Sequence, residues 1–180
     1  MKRLLTASFL AACLASPVVA VPVQWAGNGH WYDYVSTNTD WNSASALAAG
    51  SVYSGMNGYL ATITSAAEQT FLDTINSHIA WLGGSDAAVE GAWEWVTEPG
   101  GPVAFTYTNW SAFEPNNCCG GENYAVGWWN GDTWNDLRAN DTWGAGYVVE
   151  YSPSAVPLPA GLPLMLVGLG GLALLRRRKV

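Results

Sequence analysis

The chain has 180 residues and a formal net charge of −7 at pH 7, a length that holds one domain with flanking segments. Six of its seven bases sit at the two ends; between Val21 and Ala155 a single base, Arg138, faces all fourteen acids, a net charge of −13. So acidic a domain lacks the basic patches that a phosphate-backbone binder needs, which argues against nucleic acid as a partner, while its excess carboxylate suits a cation site or simple solubility.

In chain order, Met1-Lys2-Arg3 and the apolar run Leu4 to Leu14 read as a secretory signal peptide, with Val18-Val19-Ala20 as small residues for cleavage. Residues 1–20 are then the signal, and the mature chain starts near Val21. Leu10-Ala11-Ala12-Cys13 also matches a bacterial lipobox, which would instead acylate Cys13. Thr39 or Asp40 can cap a first helix through Ala49, with Gly50 as its stop. Ser65 and Glu68 form a capping box opening a second helix, whose apolar residues Ala67, Phe71, Leu72 and Ile75 recur at helical spacing. After Ile79, short apolar and aromatic runs alternate with Gly, Pro and Asn, which predicts strands and loops. Glu98 to Gly121 is a long irregular stretch, and such loops in compact domains are usually functional or disordered. Val126 to Trp129, then Asn130-Gly131, then Thr133-Trp134 predict a hairpin with a tight turn. Helices first and antiparallel strands after give an α+β domain over 21–152.

Ser152-Pro153-Ser154 reads as a short linker. Val156 to Leu175 is twenty residues without a charge, long enough to span a bilayer. Arg176 to Lys179 follow at once, and a basic cluster tends to stay cytoplasmic. The C-terminal segment therefore predicts contact with a membrane, and the domain is expected outside it.

Two short motifs carry the chemistry. Glu114-Pro115-Asn116 is followed by Glu122, and twenty residues on comes Trp134-Asn135-Asp136. Together they offer three carboxylates and two amide oxygens, the hard donors that Ca²⁺ takes in sets of six to eight. A cis bond before Pro115 would aim both flanking side chains the same way.

These residues resemble the primary calcium and sugar site of C-type lectin domains. The resemblance runs from about Asn28 to Tyr151. It includes Trp41-Asn42-Ser43-Ala44, Gly58 to Ile63, Ala80-Trp81-Leu82-Gly83-Gly84, Glu90 to Val96 and Thr108-Asn109-Trp110. It implies a C-type lectin-like α+β fold with two helices, antiparallel sheets and a long ligand-binding loop. It also implies that Glu114, Asn116, Glu122, Asn135 and Asp136 bind Ca²⁺, joined by the Asp136 carbonyl, and that the same residues bind carbohydrate. Glu-Pro-Asn, rather than Gln-Pro-Asp, implies a mannose, glucose, fucose or N-acetylglucosamine preference over galactose. Asp86 and Glu90, with Asn117, Glu122 and Asn123, match an auxiliary calcium site; its amides stand where acids are common, which should weaken affinity.

The cysteines depart from the family. Its four usual disulfide positions fall at Ala48, Val149, Tyr124 and Ala139, so packing is expected to replace the links. Eleven Trp and eight Tyr supply area for that, since a large aromatic can bury ~150–250 Å². Cys118-Cys119 can form a vicinal disulfide, stay reduced or bind metal; zinc wants about four N or S ligands, and His30 and His78 are distant in sequence. Trp81, Trp93, Trp95 and Trp134 read as core. Trp128 and Trp129, adjacent in an expected strand, would face opposite sides. One is then core, and the other can stack on a sugar, pack in the core or meet a partner.

Val156-Pro157-Leu158-Pro159-Ala160 before the apolar span and basic tail resembles the PEP-CTERM sorting signal of Gram-negative bacteria, over Val156 to Val180. It implies recognition and processing by an exosortase-type enzyme, with a plain anchor as the alternative. The expected product is an exported lectin at the cell surface or in the extracellular matrix, binding a glycan or exopolysaccharide. An adhesion or structural protein that uses the same fold on protein or polymer is the alternative. An enzyme is not expected: no nucleophile set has recognisable context, and calcium would keep Glu114 and Asp136 ionised, unfit as the acid of a glycosidase pair.

Overall fold

The computed structural model describes residues 21–143 and 145–153. The expected signal peptide, 1–20, and the expected span and basic tail, 156–180, lie outside the described residues. Among the described residues no helix is long and apolar enough to cross a membrane.

The described residues form ten strands and two helices in the order β1 Val23–Gln24, β2 Trp31–Val35, α1 Trp41–Ala49, β3 Val52–Tyr53, β4 Met56–Leu60, α2 Ala66–Leu72, β5 Ala80–Ser85, β6 Glu94–Trp95, β7 Val103–Ala104, β8 Tyr124–Gly127, β9 Asn135–Leu137 and β10 Gly146–Tyr151. The architecture is α+β, as expected. β10 is its hub. It pairs antiparallel with β2 (Val149 opposite Asp33) and with β4 (Val149 opposite Leu60), and parallel with β5 (Gly146 opposite Ala80). β5 continues antiparallel to β6 and to β8, and β8 to β9. The two ends of the domain thus meet in one ladder.

Both helix starts follow the sequence. Asp40 caps α1 by accepting from the Ser43 N–H at 2.9 Å, and Gly50 ends it. Ser65 caps α2 by accepting from the Glu68 N–H at 3.2 Å. The capping box is only half formed. Glu68 does not reach back to Ser65 but accepts from the Thr64 N–H at 2.7 Å and from the Tyr32 hydroxyl at 2.5 Å. The helical face also differs from the apolar pattern. Ala67 is exposed, Ile75 lies beyond the helix, and the buried residues are Glu68, Gln69 and Leu72. The reason is the tryptophan core. Gln69 accepts the Trp134 indole N–H at 2.8 Å, and Asp73 that of Trp128 at 2.9 Å. A buried indole usually finds such an acceptor, and at Trp128 and Trp134 the α2 region supplies it by turning polar atoms inward.

Neighbouring residues on the central strands enter opposite cores, as the pleat demands. Leu82 and Val148 join Ile63, Leu72, Trp95 and Trp134 in one cluster. Trp81 and Val149 join Trp41, Ala48, Leu60 and Val126 in the other. Trp93 packs in the first as well, so all four tryptophans read as core are core. Ala48 and Val149, two of the lost cysteine positions, are fully buried together around Gly58. A side chain at Gly58 would meet the Ala48 carbonyl at 2.7 Å and Val149 at 2.7 Å. Close packing fills the place of that covalent link.

The expected hairpin exists with different bounds. β8 and β9 pair with Val126 opposite Asn135, and the chain between Gly127 and Asn135 is a longer loop rather than a two-residue turn. Trp128 stands at φ 59° and so leaves the strand.

Candidate functional site

The long loop after β7 reaches the hairpin through Trp134. The Trp134 N–H donates to the Asn109 carbonyl at 2.8 Å, and the Ser111 N–H donates to the Trp134 carbonyl at 2.8 Å. The Ser111 and Thr133 hydroxyls also meet. Trp134 itself is fully buried, so the anchor is rigid. Three residues past Ser111 comes Glu114-Pro115, whose peptide bond is cis, as expected. The Asp136 carboxylate then fixes the next turn, accepting from the N–H of Asn116 at 3.1 Å and of Asn117 at 2.8 Å. In this way β9 and the loop bring Glu114, Asn116, Asn135 and Asp136 together although twenty residues separate the two motifs.

A cleft of about 310 Å³ opens there, lined in part by Glu114, Asn116, Glu122 and Asn135. Asp136 is buried behind it. One member of the auxiliary set touches the same carboxylate, Asn117 through its N–H at 2.8 Å, and the Asp136 charge adds to the upward shift of both Asp86 and Glu90. Asp86 is buried at the end of β5 and accepts from the Gly91 N–H at 2.8 Å; Glu90 is exposed. Asn117 accepts from the Glu122 N–H at 2.9 Å and so closes the loop on itself. The Asp86 N–H donates to the Asn123 carbonyl at 3.3 Å.

The electrostatics are those of crowded acids. Burial first, and then the Asp136 charge, push the carboxyls of Glu114 and Glu122 above their ordinary value; Arg138 opposes this at Glu122. Burial also raises Asp86, against the pull of the Gly91 N–H. Hydrogen bonding leaves part of the cluster unsatisfied. Asp86 Oδ1, Glu114 Oε2, Asn123 Oδ1 and Asn135 Oδ1 are sealed from water and have no partner. A buried oxygen without a donor costs about 1–3 kcal/mol. A cation is the species that oxygens so placed would accept, which is the fit of this donor set to Ca²⁺. Among the described residues no three His, Cys, Asp or Glu side chains converge closely enough to hold a metal by themselves, so a cation there would need the amide oxygens of Asn116 and Asn135 as well.

The sequence reading missed three neighbours of the site, Arg138, Asp141 and Trp143, which line the cleft. The Cys118–Cys119 pair lines it too and is joined as a vicinal disulfide, one of the states its sequence offered. The Arg138 guanidinium donates through Nη2 to the Cys119 carbonyl at 2.7 Å. Trp129 lines the cleft while Trp128 is core; the split was readable, but it arises from a turn rather than a strand. The lone base in an acidic domain was the available sign for Arg138. Nothing in the local pattern marked Trp143.

A model of the family described as Lectin C-type domain matches residues 37–144. Halomucin from Haloquadratum walsbyi is 37% identical over 137 residues, 69% of this chain and 1% of that protein. The CD209 antigen of Symphalangus syndactylus is 35% identical over 124 residues, 66% of this chain and 30% of that protein. The matched region is therefore less than a third of either relative. Among solved structures, the C-type lectin CEL-I from Cucumaria echinata superposes with a TM-score of 0.59 at 26% identity, over 73% of this chain and 97% of that one.

Proposed function

The chain belongs to the C-type lectin domain family, and from that premise we propose that it is a calcium-dependent carbohydrate-binding protein. The single observation that carries the reading is where the unsatisfied oxygens fall. Among the described residues, every buried carboxylate or amide oxygen without a partner belongs to Asp86, Glu114, Asn123 or Asn135, all of them candidate ligands.

Ca²⁺, when bound, would supply a Lewis-acidic centre that takes two neighbouring sugar hydroxyls. Glu114, Asn116, Glu122, Asn135 and Asp136 would hold it, and the Asp136 carboxylate also keeps Asn116 and Asn117 in place through their N–H groups. The Glu114 carboxylate would accept a hydrogen bond from one hydroxyl, and the Asn116 amide would donate one to a hydroxyl oxygen. That order of acceptor and donor selects the hydroxyl pair and favours mannose- or glucose-type sugars. Asp86, Glu90, Asn117 and Asn123 would form the weaker auxiliary site.

We place the domain outside the cell, delivered by the N-terminal signal and processed at the C-terminal segment by an exosortase-type enzyme. Mass spectrometry of the surface protein that finds no Arg176 to Lys179 peptide supports this; an intact tail leaves the plain anchor.

Monosaccharide competition at fixed calcium, repeated in EGTA, tests the function. Mannose-type sugars are expected to compete, and EGTA to abolish binding. Glu114→Gln with Asn116→Asp exchanges a donor and an acceptor at constant ligand count, and should move choice toward galactose. The switch should be at most ~1.5–3 kcal/mol per bond altered. Calcium held without any sugar bound would leave the adhesion scaffold as the better account.

A further inference from the structure

The cleft at the oxygen cluster has a lining of two chemistries. Beside the carboxylates and amides stand Trp129, Trp143, Arg138 and Asp141. Trp143 is 66% exposed, whereas Trp81, Trp95 and Trp134 are wholly buried. Its indole belongs to neither core cluster, so packing does not account for it. It is nevertheless held. Trp129 meets it edge to face, with centroids 6.0 Å apart and planes at 76°; Trp129 packs against the second core cluster, and its backbone N–H donates to the Thr133 carbonyl at 3.0 Å. Edge-to-face contact orients a ring while leaving open faces for another group.

Arg138 and Asp141 are held in the same way. The Asp141 N–H donates to the Arg138 carbonyl at 3.1 Å, and the Asp141 carboxylate accepts from the Arg138 N–H at 3.3 Å. Arg138 Nη2 is tied to the Cys119 carbonyl and Nε is sealed from water, which leaves the remaining terminal guanidinium N–H groups for an acceptor. The cleft therefore presents an apolar platform, a donor and an acceptor on one short turn.

A pyranose ring has the matching form, with an apolar C–H face and a rim of hydroxyls. The net charge of −13 over the domain disfavours an anionic sugar, since like charges repel at range. We infer that Trp143, Arg138 and Asp141 form a second subsite for the neighbouring ring of a neutral oligosaccharide. The ligand is then a chain of at least two hexoses rather than a terminal sugar alone. This rests on the oxygen cluster being the first sugar site.

The test uses the full chain in millimolar calcium. Methyl mannoside is compared with mannobiose, and methyl glucoside with the matching disaccharide, by competition and by tryptophan emission. Wild type is expected to bind one disaccharide about tenfold more tightly than its monosaccharide, with a change in emission. Trp143→Ala should erase that gain and the emission change, keeping monosaccharide affinity within roughly twofold. Trp143 is exposed, so the variant should melt as wild type does. A gain that survives Trp143→Ala overturns the subsite, as do equal losses for both ligands. A wild type that binds monosaccharide with no gain removes the subsite and leaves the lectin reading intact. Binding of neither sugar removes both.

Discussion

The domain buries two groups of acids and treats them in opposite ways. Glu68 and Glu150, each 1% exposed, have every oxygen satisfied. Glu150 Oε2 accepts from the Thr62 N–H and hydroxyl, both at 2.9 Å, and its Oε1 meets His30 Nδ1 and the Tyr32 hydroxyl. Glu68 Oε2 accepts from the Thr64 N–H and hydroxyl, and its Oε1 from Tyr32 and the Asn28 amide. At the long loop, Glu114, Asn135, Asp86 and Asn123 each keep an oxygen with no donor. Buried polar atoms normally find partners. The first group shows that this fold can supply donors where acids are structural, so the bare oxygens of the second are a property of that place.

The contrast is sharpest when each group loses an acid without calcium present. Glu150→Ala should cost about 3–5 kcal/mol, as breaking a buried hydrogen-bonded pair does, because the Thr62 N–H and hydroxyl lose their acceptor. Glu114→Ala in EGTA should cost little, since both its burial and the Asp136 charge disfavour the ionised form. Urea unfolding of the two variants measures this. Equal losses would mean that the loop acids are structural too, and the contrast would collapse.

Adding calcium should then act on one group only. At one hundred times the dissociation constant, the ion stabilises the folded state by ~2.7 kcal/mol through mass action. Melting in EGTA and in millimolar calcium should show that gain in wild type and in Glu150→Ala, and little of it in Glu114→Ala. Identical melting temperatures for wild type in both buffers would sink the calcium reading.

Much of this was legible in the sequence because it is local. Asp40 and Ser65 cap within three residues, and the two loop motifs name their own side chains. The acid pair was not legible. Glu150 meets its partners across 88 residues at Thr62 and 120 at His30, and the β4–β10 and β2–β10 ladders bring them together. The inward polar face of α2 was hidden for a similar reason. Its partners are the indoles of Trp128 and Trp134, set by a hairpin more than fifty residues away. Trp143 was missed because nothing in a linear pattern tells an exposed indole from a buried one.

The smallest expected effect lies in the satisfied group, and pH reaches it. The hydrogen bond to Glu150 raises the His30 imidazole above its ordinary value; burial opposes this, and the charges of Glu150, Glu68 and Glu98 add to it. These acids come from β10, from α2 and from the segment after β6. The Tyr32 hydroxyl beside them is pushed far above the ordinary phenol range by burial and by the same two carboxylates, so it remains protonated. The folded state therefore holds the His30 proton more tightly than the unfolded chain does. By linkage, that stabilisation is complete below the unfolded value of about 6.5 and is lost as pH rises through the raised folded value. The imidazole is 26% exposed, and solvent screening holds the effect to ~1 kcal/mol or less. His30→Gln should remove it. Burial raises other acids too, Glu68 and Glu98 among them, so the informative quantity is the difference in urea midpoint between wild type and variant from pH 6 to pH 8.5 in EGTA. That difference should favour wild type at pH 6 and shrink steadily as pH rises. A difference that stays constant would show that His30 enters the acid pair as a neutral hydrogen-bonding group, and that Glu68 and Glu150 are satisfied without a positive charge.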